Sequence, residues 1–152
     1  MCLFSVPSQN YRETLTRFVE NGSIKADALL VNVSKGIDME SLETISQITE
    51  KILPSATFVV LSGPSHAEEV AMQLPTALVS ASKSRATAEL VQDLFSNGYV
   101  RVYTSPDVTG VEISGALKNI IALGAGISDG LGYGDNAKAA LITRGIKEIA
   151  ML

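Results

Sequence analysis

The sequence predicts an α/β protein in which a parallel sheet is followed by a helical segment. Five short apolar runs alternate with segments whose apolar residues recur at helical spacing, and these runs span residues 2–6, 28–33, 57–61, 77–81 and 100–104. The runs are continuously apolar, which is typical of strands in a sheet that helices cover on both faces. After Pro106 the strand signals cease, and the remaining chain is helical in pattern and rich in small residues.

The composition is that of an ordinary globular domain, since 46% of the 152 residues are hydrophobic and 18% are charged. The formal net charge of −4, without any run of Lys or Arg, argues against binding to nucleic acid or to an anionic membrane surface. The apolar start, residues 1–6, is too short for a membrane span, lacks the basic residues of a signal peptide and ends at Pro7. We therefore expect no nucleic-acid partner and no membrane span.

The chain contains one cysteine, Cys2, and one histidine, His66. A single cysteine forms no internal disulfide, and no group of Cys and His residues has the spacing of a zinc site. The sequence therefore predicts no metal centre, and it fits a reducing cytoplasm.

The first two strands are each followed by a turn and a helix. Pro7 ends the first run, and Asn21-Gly22 stops the helical pattern that follows; Ser34-Lys35-Gly36 ends the second run, and Pro54 closes the next helix. The apolar faces of these two predicted helices consist of Tyr11, Leu15, Phe18 and Val19, and of Leu42, Ile45, Ile48 and Ile52.

The turn after the third strand has the most specific local sequence pattern. Ser62-Gly63-Pro64 ends the run 57–61, and Ser65 with Glu68 forms an S-x-x-E pattern that predicts a capping box for a helix over residues 67–72. The run 77–81, a polar helix over 86–94 and the run 100–104 complete the alternation.

Two long helices are predicted after the sheet, over residues 108–127 and 136–152. We place a domain boundary near residue 105, so that residues 1–104 form the α/β domain and residues 105–152 begin a helical one. No later element follows to bury the apolar residues of the last helix, and Met1 leads directly into a core strand. The chain is therefore expected to start and stop within its domains. The apolar residues concerned are Ala139, Leu141, Ile142, Ile146, Ile149 and Leu152.

Lys118 and Asn119 are polar residues within an otherwise apolar helix. Its apolar neighbours are expected to exclude water from Lys118 in part, and this favours the neutral amine that exchanges protons near neutral pH. The alternative is a lysine whose ammonium group reaches the surface. Asn119 offers both a donor and an acceptor, although a buried hydrogen bond between helix and loop is the more ordinary explanation of an asparagine here.

Lys35 and the turn Gly63-Pro64-Ser65 follow the second and third strands. Because ligands of open α/β sheets bind at the carboxyl ends of strands, this edge combines a cation with exposed backbone and suits an anionic substrate. Taken singly, Lys35 is a solvated loop lysine and Ser65 a helix cap. His66 is expected to be a loop residue without a catalytic role, since no acid or nucleophile is identifiable near it in sequence.

The glycines at 124, 126, 130, 132 and 134 suggest a phosphate-binding loop at first sight. They follow a helix rather than a strand and do not fit G-x-G-x-x-G. We expect close helix packing and a flexible turn between helices.

Six segments of the sequence are more informative together than any single motif. They are LSGPSHAEEV at residues 61–70, LPTA at 74–77, VYT at 102–104, GVE at 110–112, GALKN at 115–119 and GISDGLGYGDN at 126–136. In their order and spacing these segments resemble bacterial NAD(P)-dependent glycerol-3-phosphate dehydrogenases, and the resemblance covers essentially the whole chain.

The resemblance implies reversible hydride transfer between NAD or NADP and the pair dihydroxyacetone phosphate and sn-glycerol 3-phosphate, which serves phospholipid synthesis. It implies that Lys118 is the proton acceptor and also contacts substrate, and that Lys35 contacts both cofactor and substrate. Gly63 and Ser65 match substrate contacts, and Ala67 matches a cofactor contact. It further implies a cytoplasmic enzyme that is a homodimer at full length.

The sequence departs from the family by lacking the initial strand with its G-x-G-x-x-G turn and the later helices that contact substrate phosphate. What remains resembles part of a Rossmann-like domain and the first helices of an all-α substrate domain, and we expect it to be inactive alone. Two alternatives stay open. One is a dehydrogenase of the 6-phosphogluconate or hydroxyacid type, although such enzymes separate the lysine and asparagine that are adjacent here. The other is a non-enzymatic fragment that functions only by association.

Overall fold

The computed structural model describes residues 1–151, so Leu152 of the predicted last helix lies outside the described residues. Contacts divide the chain into two compact units, Met1–Ile113 and a second unit that begins at Ser114. Each unit is described by itself. The boundary expected near residue 105 stays a prediction.

All predicted strands and helices are found. The first unit contains β1 Cys2–Phe4, α1 Ser8–Glu20, β2 Leu29–Asn32, α2 Ile45–Ile52, β3 Thr57–Ser62, α3 Ala67–Ala71, β4 Thr76–Ala81, α4 Arg85–Phe95 and β5 Val100–Ser105. Helix α5, Val108–Gly130, begins in the first unit and continues in the second, where α6, Gly134–Ile149, follows it. The predicted α/β class is therefore confirmed.

The sheet has the strand order β1-β2-β3-β4-β5. Strands β1, β2 and β3 are parallel, and so are β4 and β5, but β4 runs antiparallel to β3. The expected parallel sheet is therefore wrong at this one pair. The physical reason is the short helix in the connection between β3 and β4. Helix α3 has 5 residues and is about 8 Å long, whereas the 6 residues of β3 extend about 20 Å. The connection therefore does not return the chain to the other end of the sheet as a longer crossover helix would, and β4 turns back beside β3.

Helices cover both faces of the sheet, as the continuous apolar runs predict. On one face Leu30 of β2 packs in a cluster with Tyr11 and Leu15 of α1 and Ile48 of α2. On the other face Val31 packs in a second cluster with Val91 of α4. Leu30 and Val31 belong to different clusters because successive side chains of a strand point to opposite faces.

Helix α2 starts later than its apolar pattern suggests. Thr44 is the N-cap: its side chain accepts a hydrogen bond from the Gln47 amide, and the Gln47 side chain accepts one from the Thr44 amide. Leu42 lies before this capping box, has a φ of 58° and is 78% exposed. The expectation that Leu42 lies on the buried helix face is therefore wrong, because the cap fixes the start of the helix at Ile45.

In the second unit α5 and α6 pack closely at small residues. Gly145 of α6 lies against Ile121 of α5, and Gly124 lies opposite Leu141. Gly132, with a φ of 72°, lies in the turn between the helices. Gly124 therefore serves helix packing and Gly132 a turn, as the sequence predicts, whereas nothing lies within 4 Å of a Cβ added at Gly126 or Gly130, so close packing is not observed there. Of the apolar residues predicted to lack cover, Ala139, Ile142 and Ile146 are exposed, whereas Leu141 and Ile149 are partly buried.

Among the described residues, α5 is the one helix long and apolar enough to cross a membrane by length and composition. Core helices of soluble proteins meet the same criterion, so this is weak evidence for a span. Three ionisable residues lie within α5, namely Glu112, Lys118 and Asp129.

Candidate functional site

The carboxyl ends of the parallel strands β1, β2 and β3 meet at one edge of the sheet, which we call the carboxyl edge. Ser34 connects the loops after β1 and β2, since its hydroxyl donates to the Val6 carbonyl at 2.5 Å and accepts from the Val6 amide at 3.2 Å. The side chain of Asn32, fully buried at the end of β2, accepts from the Ser34 amide and donates to the Ser34 carbonyl. The side chains of Asn32 and Ser34 thus fix the backbone immediately before Lys35.

Lys35 connects the loop after β2 to the turn after β3. Its Nζ donates a hydrogen bond to the carbonyl of Gly63 at 3.0 Å, and the side chain is exposed. Two of the residues singled out in the sequence are therefore in direct contact at the carboxyl edge. The arrangement puts a cation beside exposed backbone and supports the binding of an anion.

Gly63 occupies a position that no other residue fits without displacement. Its φ is +156°, and a Cβ built on it would lie 2.5 Å from the carbonyl oxygen of Ala77 and 3.0 Å from Cα of Leu78. Both contacts are to the backbone of β4, which cannot move aside as a flexible side chain does. The antiparallel course of β4 therefore explains the glycine at the end of β3.

The capping box expected from Ser65 and Glu68 is wrong. The N-cap of α3 is His66, and no side chain caps the helix. Because the helix starts at Ala67, Ser65 lies one residue too early for an N-cap, and its hydroxyl donates to the Gly63 carbonyl at 3.4 Å. Glu68 instead lies 2.9 Å from Nδ1 of His66, which is 72% exposed. Ser65, His66 and Ala67 are all exposed beside the Gly63 turn.

An ionic network that the sequence analysis missed holds the loop between β2 and α2, residues 33–44, which we call the Lys35 loop. Arg12 of α1 bonds Glu43 at 2.8 Å and lies 3.5 Å from Asp38. Asp38 accepts hydrogen bonds from the amide and the hydroxyl of Ser41, at 3.0 and 2.6 Å, and Lys51 of α2 pairs with Glu43. The acidic residue three positions before a serine is typical of a side-chain-stabilised turn, and it was the available sequence signal.

These contacts lower the pKa of both carboxyl groups. The hydrogen bond from Lys51, followed by that from Arg12, lowers the pKa of Glu43 from 4.5 to about 2. The two hydrogen bonds from Ser41 lower the pKa of Asp38, with a smaller contribution from Arg12. Both groups are therefore charged at neutral pH and hold the loop by charge-assisted bonds.

A buried carboxylate connects the start of α5 to α2. Glu112 is 6% exposed and accepts hydrogen bonds from the amide and the hydroxyl of Ser46, at 2.8 and 2.5 Å. Burial raises the pKa of Glu112, and the bonds from Ser46 oppose this rise. Nearby, Tyr11 is bonded to Thr49 of α2 at 2.8 Å, and burial raises the pKa of its phenol to about 12.

Lys118 and Asn119 lie on α5 in the second unit. Nζ of Lys118 donates to Oδ1 of Asn119 at 3.4 Å, and both side chains are exposed. The partial exclusion of water expected for Lys118 is not observed, because Ile120 and Leu123 beside it are themselves 64% and 68% exposed. These neighbours do not enclose the lysine.

Among the residues that the structure describes, no group of three or more His, Cys, Asp or Glu side chains could hold a metal ion.

The sequence matches two sequence models of one family. Residues 1–88 match the model described as the N-terminus of NAD-dependent glycerol-3-phosphate dehydrogenase, and residues 107–152 match the model of its C-terminus. The chain is 60% identical to glycerol-3-phosphate dehydrogenase [NAD(P)+] of Bacillus subtilis over 153 residues, and 54% identical to that of Agathobacter rectalis. Each alignment covers 99% of this chain and 44% of the relative, so the chain spans less than half the length of these relatives.

Solved structures show the same fold. The crystal structure of glycerol-3-phosphate dehydrogenase from Coxiella burnetii is 38% identical with a TM-score of 0.87, over 97% of this chain and 45% of that one. The enzyme of Saccharomyces cerevisiae is 29% identical with a TM-score of 0.81, over 97% of this chain and 44% of that one. With the family model matched over residues 1–88, these findings establish that the chain belongs to the NAD-dependent glycerol-3-phosphate dehydrogenase family.

Proposed function

We propose that this chain supplies substrate and cofactor contacts of an NAD(P)-dependent glycerol-3-phosphate dehydrogenase, which interconverts dihydroxyacetone phosphate and sn-glycerol 3-phosphate. The observation that carries the proposal is the contact of Lys35 Nζ with the Gly63 carbonyl, 3.0 Å, at the carboxyl edge. Family membership supports the reaction, because the matched relatives are named for it.

Lys35 and Ser65 bind the anionic substrate in this proposal. The ammonium group of Lys35 and the hydroxyl of Ser65 are hydrogen-bond donors on the exposed side of the Gly63 turn. A charged donor beside a neutral one suits an oxygen-rich anion. Gly63 contributes by letting the turn pass against β4, which leaves its backbone accessible beside both side chains.

Two exposed residues, Ala67 and Lys35, also have the size and charge that suit the binding of a nicotinamide cofactor. Ala67 is exposed at the first turn of α3, where its small side chain permits close approach, and Lys35 is a cation for a phosphate-bearing ligand. When bound, NADH or NADPH would supply the hydride to C2 of dihydroxyacetone phosphate, and NAD+ or NADP+ would accept it from C2 of sn-glycerol 3-phosphate. The choice between NAD and NADP stays open.

We assign proton transfer to Lys118. In the reducing direction its ammonium group donates a proton to the C2 oxygen of the ketone, which becomes the hydroxyl of sn-glycerol 3-phosphate as C2 gains the hydride. In the oxidising direction the neutral amine accepts that hydroxyl proton. The charged ammonium also polarises the ketone oxygen before transfer.

The remaining properties of the whole protein are proposals of the same kind. We propose a homodimer of the cytoplasm that provides sn-glycerol 3-phosphate for phospholipid synthesis, without a membrane span or a nucleic-acid partner. Residues 1–104 belong to its Rossmann-like domain and residues 105–152 to its helical substrate domain. Because the chain spans 44% of the matched relatives, we propose that these 152 residues alone are inactive.

The test is a chimera in which these 152 residues replace the matching segment of the Bacillus subtilis relative. The chimera should oxidise NADH or NADPH with dihydroxyacetone phosphate, and Lys35→Met should raise KM for that substrate. A folded chimera without turnover would overturn the proposed reaction. Strong turnover by the 152 residues alone would overturn only their proposed inactivity.

A non-enzymatic fragment that acts by association predicts a different result. Sedimentation of the purified chain distinguishes the two, since that alternative requires a complex with itself or with a complementary piece. A folded monomer in sedimentation, together with an active chimera, would remove it.

A further inference from the structure

The first turn of α1 contacts the Lys35 loop through one side-chain amide in two places. Nε2 of Gln9 donates to the carbonyl of Ile37 at 2.8 Å, and Oε1 of Gln9 accepts from the amide of Met39 at 3.0 Å. This pattern reproduces the paired bonds that a neighbouring strand makes to a backbone. A loop without regular structure thereby gains two backbone hydrogen bonds from a helix about 30 residues earlier in the chain.

Neighbouring residues of α1 contact the same loop on either side of Gln9. Gly36 lies so close to Ser8 that an added Cβ would come within 2.5 Å of the Ser8 hydroxyl. One turn further along α1, Arg12 donates to Ser41 at 2.9 Å and to Glu43 at 2.8 Å. Contacts from α1 therefore follow the loop from Gly36 to Glu43, and the bonds from Gln9 lie between those of Ser8 and Arg12.

Gln9 is exposed and lies outside the apolar clusters of the first unit, so the sheet does not require it for packing. Its two bonds fix the backbone two and four residues after Lys35, at Ile37 and Met39. The Lys35 side chain extends from the end of β2 to the carbonyl of Gly63 at the end of β3. Whether Nζ reaches that carbonyl depends on the position of the Lys35 backbone. A fixed loop therefore restricts the range of positions that the Nζ atom of Lys35 can occupy.

We propose that Gln9 is a positioning residue for Lys35, which holds the Lys35 loop so that Lys35 Nζ stays at the Gly63 carbonyl, ready for the anionic substrate. This rests on the proposed function in one respect, the role of Lys35 as a substrate contact. Gln9 itself contacts neither substrate nor reacting atoms in this proposal. It acts through the loop backbone alone.

The experiment uses the whole 152-residue chain and two variants of Gln9. Gln9→Met keeps the length of the side chain and removes both bonds, whereas Gln9→Glu keeps the acceptor for Met39 and removes the donor to Ile37. Glu13→Gln, at another exposed position of α1, is the matched control. Circular dichroism and thermal unfolding verify that each variant is folded.

Two readouts test the position of Lys35. Carbon-13 relaxation of the chain reports the order of the Lys35 ε-methylene, and a titration of the Bacillus subtilis chimera, carrying the same variants, with sn-glycerol 3-phosphate reports affinity. Gln9→Met should lower the order of Lys35, speed hydrogen exchange of the Met39 amide about fivefold and weaken binding about tenfold. Gln9→Glu should keep the Met39 amide protected and give a smaller loss at Lys35, and Glu13→Gln should change neither.

The outcomes separate this proposal from the proposed function. If Gln9→Met exposes the Met39 amide but leaves both the order of Lys35 and the affinity unchanged, the positioning role is overturned. If the chimera with unaltered Gln9 does not bind sn-glycerol 3-phosphate, the substrate role of Lys35 loses its support. The positioning role is then decided by the order of Lys35: a fall in Gln9→Met supports it, and no change overturns it. If Gln9→Met does not fold, the same comparison is made with Gln9→Glu.

Discussion

Nζ of Lys35 donates to the carbonyl of Gly63 at 3.0 Å and so joins the loop after β2 to the turn after β3. The two residues are 28 positions apart in the sequence. They come together because the parallel strands β2 and β3 end at the same edge of the sheet. The contact depends on the turn at Gly63, which passes against the backbone of β4. Substitutions on either side of it therefore have separable effects on stability and on binding.

Gly63→Ala should destabilise the first unit by about 1–3 kcal/mol, because the new Cβ meets backbone atoms of Ala77 and Leu78 that cannot rotate away. Urea unfolding measures the loss. Gly98→Ala is the matched control, since nothing lies within 4 Å of its added Cβ, and it should stay within about 0.5 kcal/mol of the unaltered chain. Equal stability of the two variants would contradict the close approach at Gly63.

The ionised form of Glu43 should stabilise the folded chain, and this stabilisation should be lost in acid as Glu43 is protonated. Its pKa is lowered to about 2 in the folded chain against an ordinary value of 4.5, with the bond from Lys51 as the largest cause. The stabilisation is complete above pH 4.5 and is lost as the pH falls through about 2, because the unfolded chain binds the proton first. Urea unfolding at pH 5 and pH 3 should show a smaller difference for Glu43→Gln than for the unaltered chain.

Lys51→Met provides the second arm of this acid test. Without its largest cause the pKa of Glu43 rises, so this variant should also lose part of the acid dependence. Lys51 is 65% exposed, so salt should weaken the effect in the unaltered chain. An acid dependence that is the same in all three proteins would show that Glu43 does not contribute.

Glu112 should act in a different pH range and with the opposite sign. Burial raises its pKa above the ordinary value of 4.5, so the folded chain binds the proton more strongly than the unfolded chain. The free energy of unfolding that Glu112 contributes is complete below pH 4.5 and falls as the pH rises through the raised value.

Glu112→Gln, which stays neutral, removes this dependence while its side-chain oxygen still accepts a hydrogen bond from Ser46. Relative to the unaltered chain, the variant should therefore become more stable as the pH rises above 4.5, and the difference should level off once the pH has passed the raised pKa. Denaturant unfolding at several pH values in this range measures the difference. A difference that does not vary with pH would contradict a raised pKa for Glu112.

Gly145 should determine how closely α5 and α6 pack in the second unit. A Cβ at this position would collide with the side chain of Ile121, so Gly145→Ala should cost about 1–3 kcal/mol. Gly126→Ala meets nothing within 4 Å and should stabilise α5 by up to about 1 kcal/mol. Adding Ile121→Ala to Gly145→Ala should recover part of the loss in a double-mutant cycle, and purely additive effects would contradict the contact.

The sequence predicts the strands and helices well because these depend on local patterns. Apolar runs and helical spacing are visible without knowledge of the fold, and all five strands and six helices of the described residues follow them. The direction of β4 depends on how far the connection from β3 reaches. The helix predicted over residues 67–72 is about as short as α3 itself, so the reversal was readable from the length of that helix, although the apolar runs alone suggest a parallel sheet.

The candidate site divides along the same line. Lys35, Gly63 and Ser65 were predictable as residues that follow strands, and they lie at one edge. The roles of Gln9, Arg12 and Glu112 were not predictable, because their contacts join segments separated by about 30 to 66 residues. The enclosed environment expected for Lys118 failed for a related reason: apolar neighbours in sequence exclude water only when they are themselves covered.

The most direct test of the proposed chemistry is the kcat of the Bacillus subtilis chimera for dihydroxyacetone phosphate with Lys118 replaced by Met and by Arg. Proton transfer by Lys118 predicts that kcat falls about 100- to 10,000-fold in both variants, because arginine keeps the charge but does not release a proton near neutral pH. Thermal unfolding should remain unchanged, since Lys118 is exposed. A folded Lys118→Met chimera with kcat within about threefold of the parent, which corresponds to less than about 0.7 kcal/mol in the barrier, would contradict the role of Lys118.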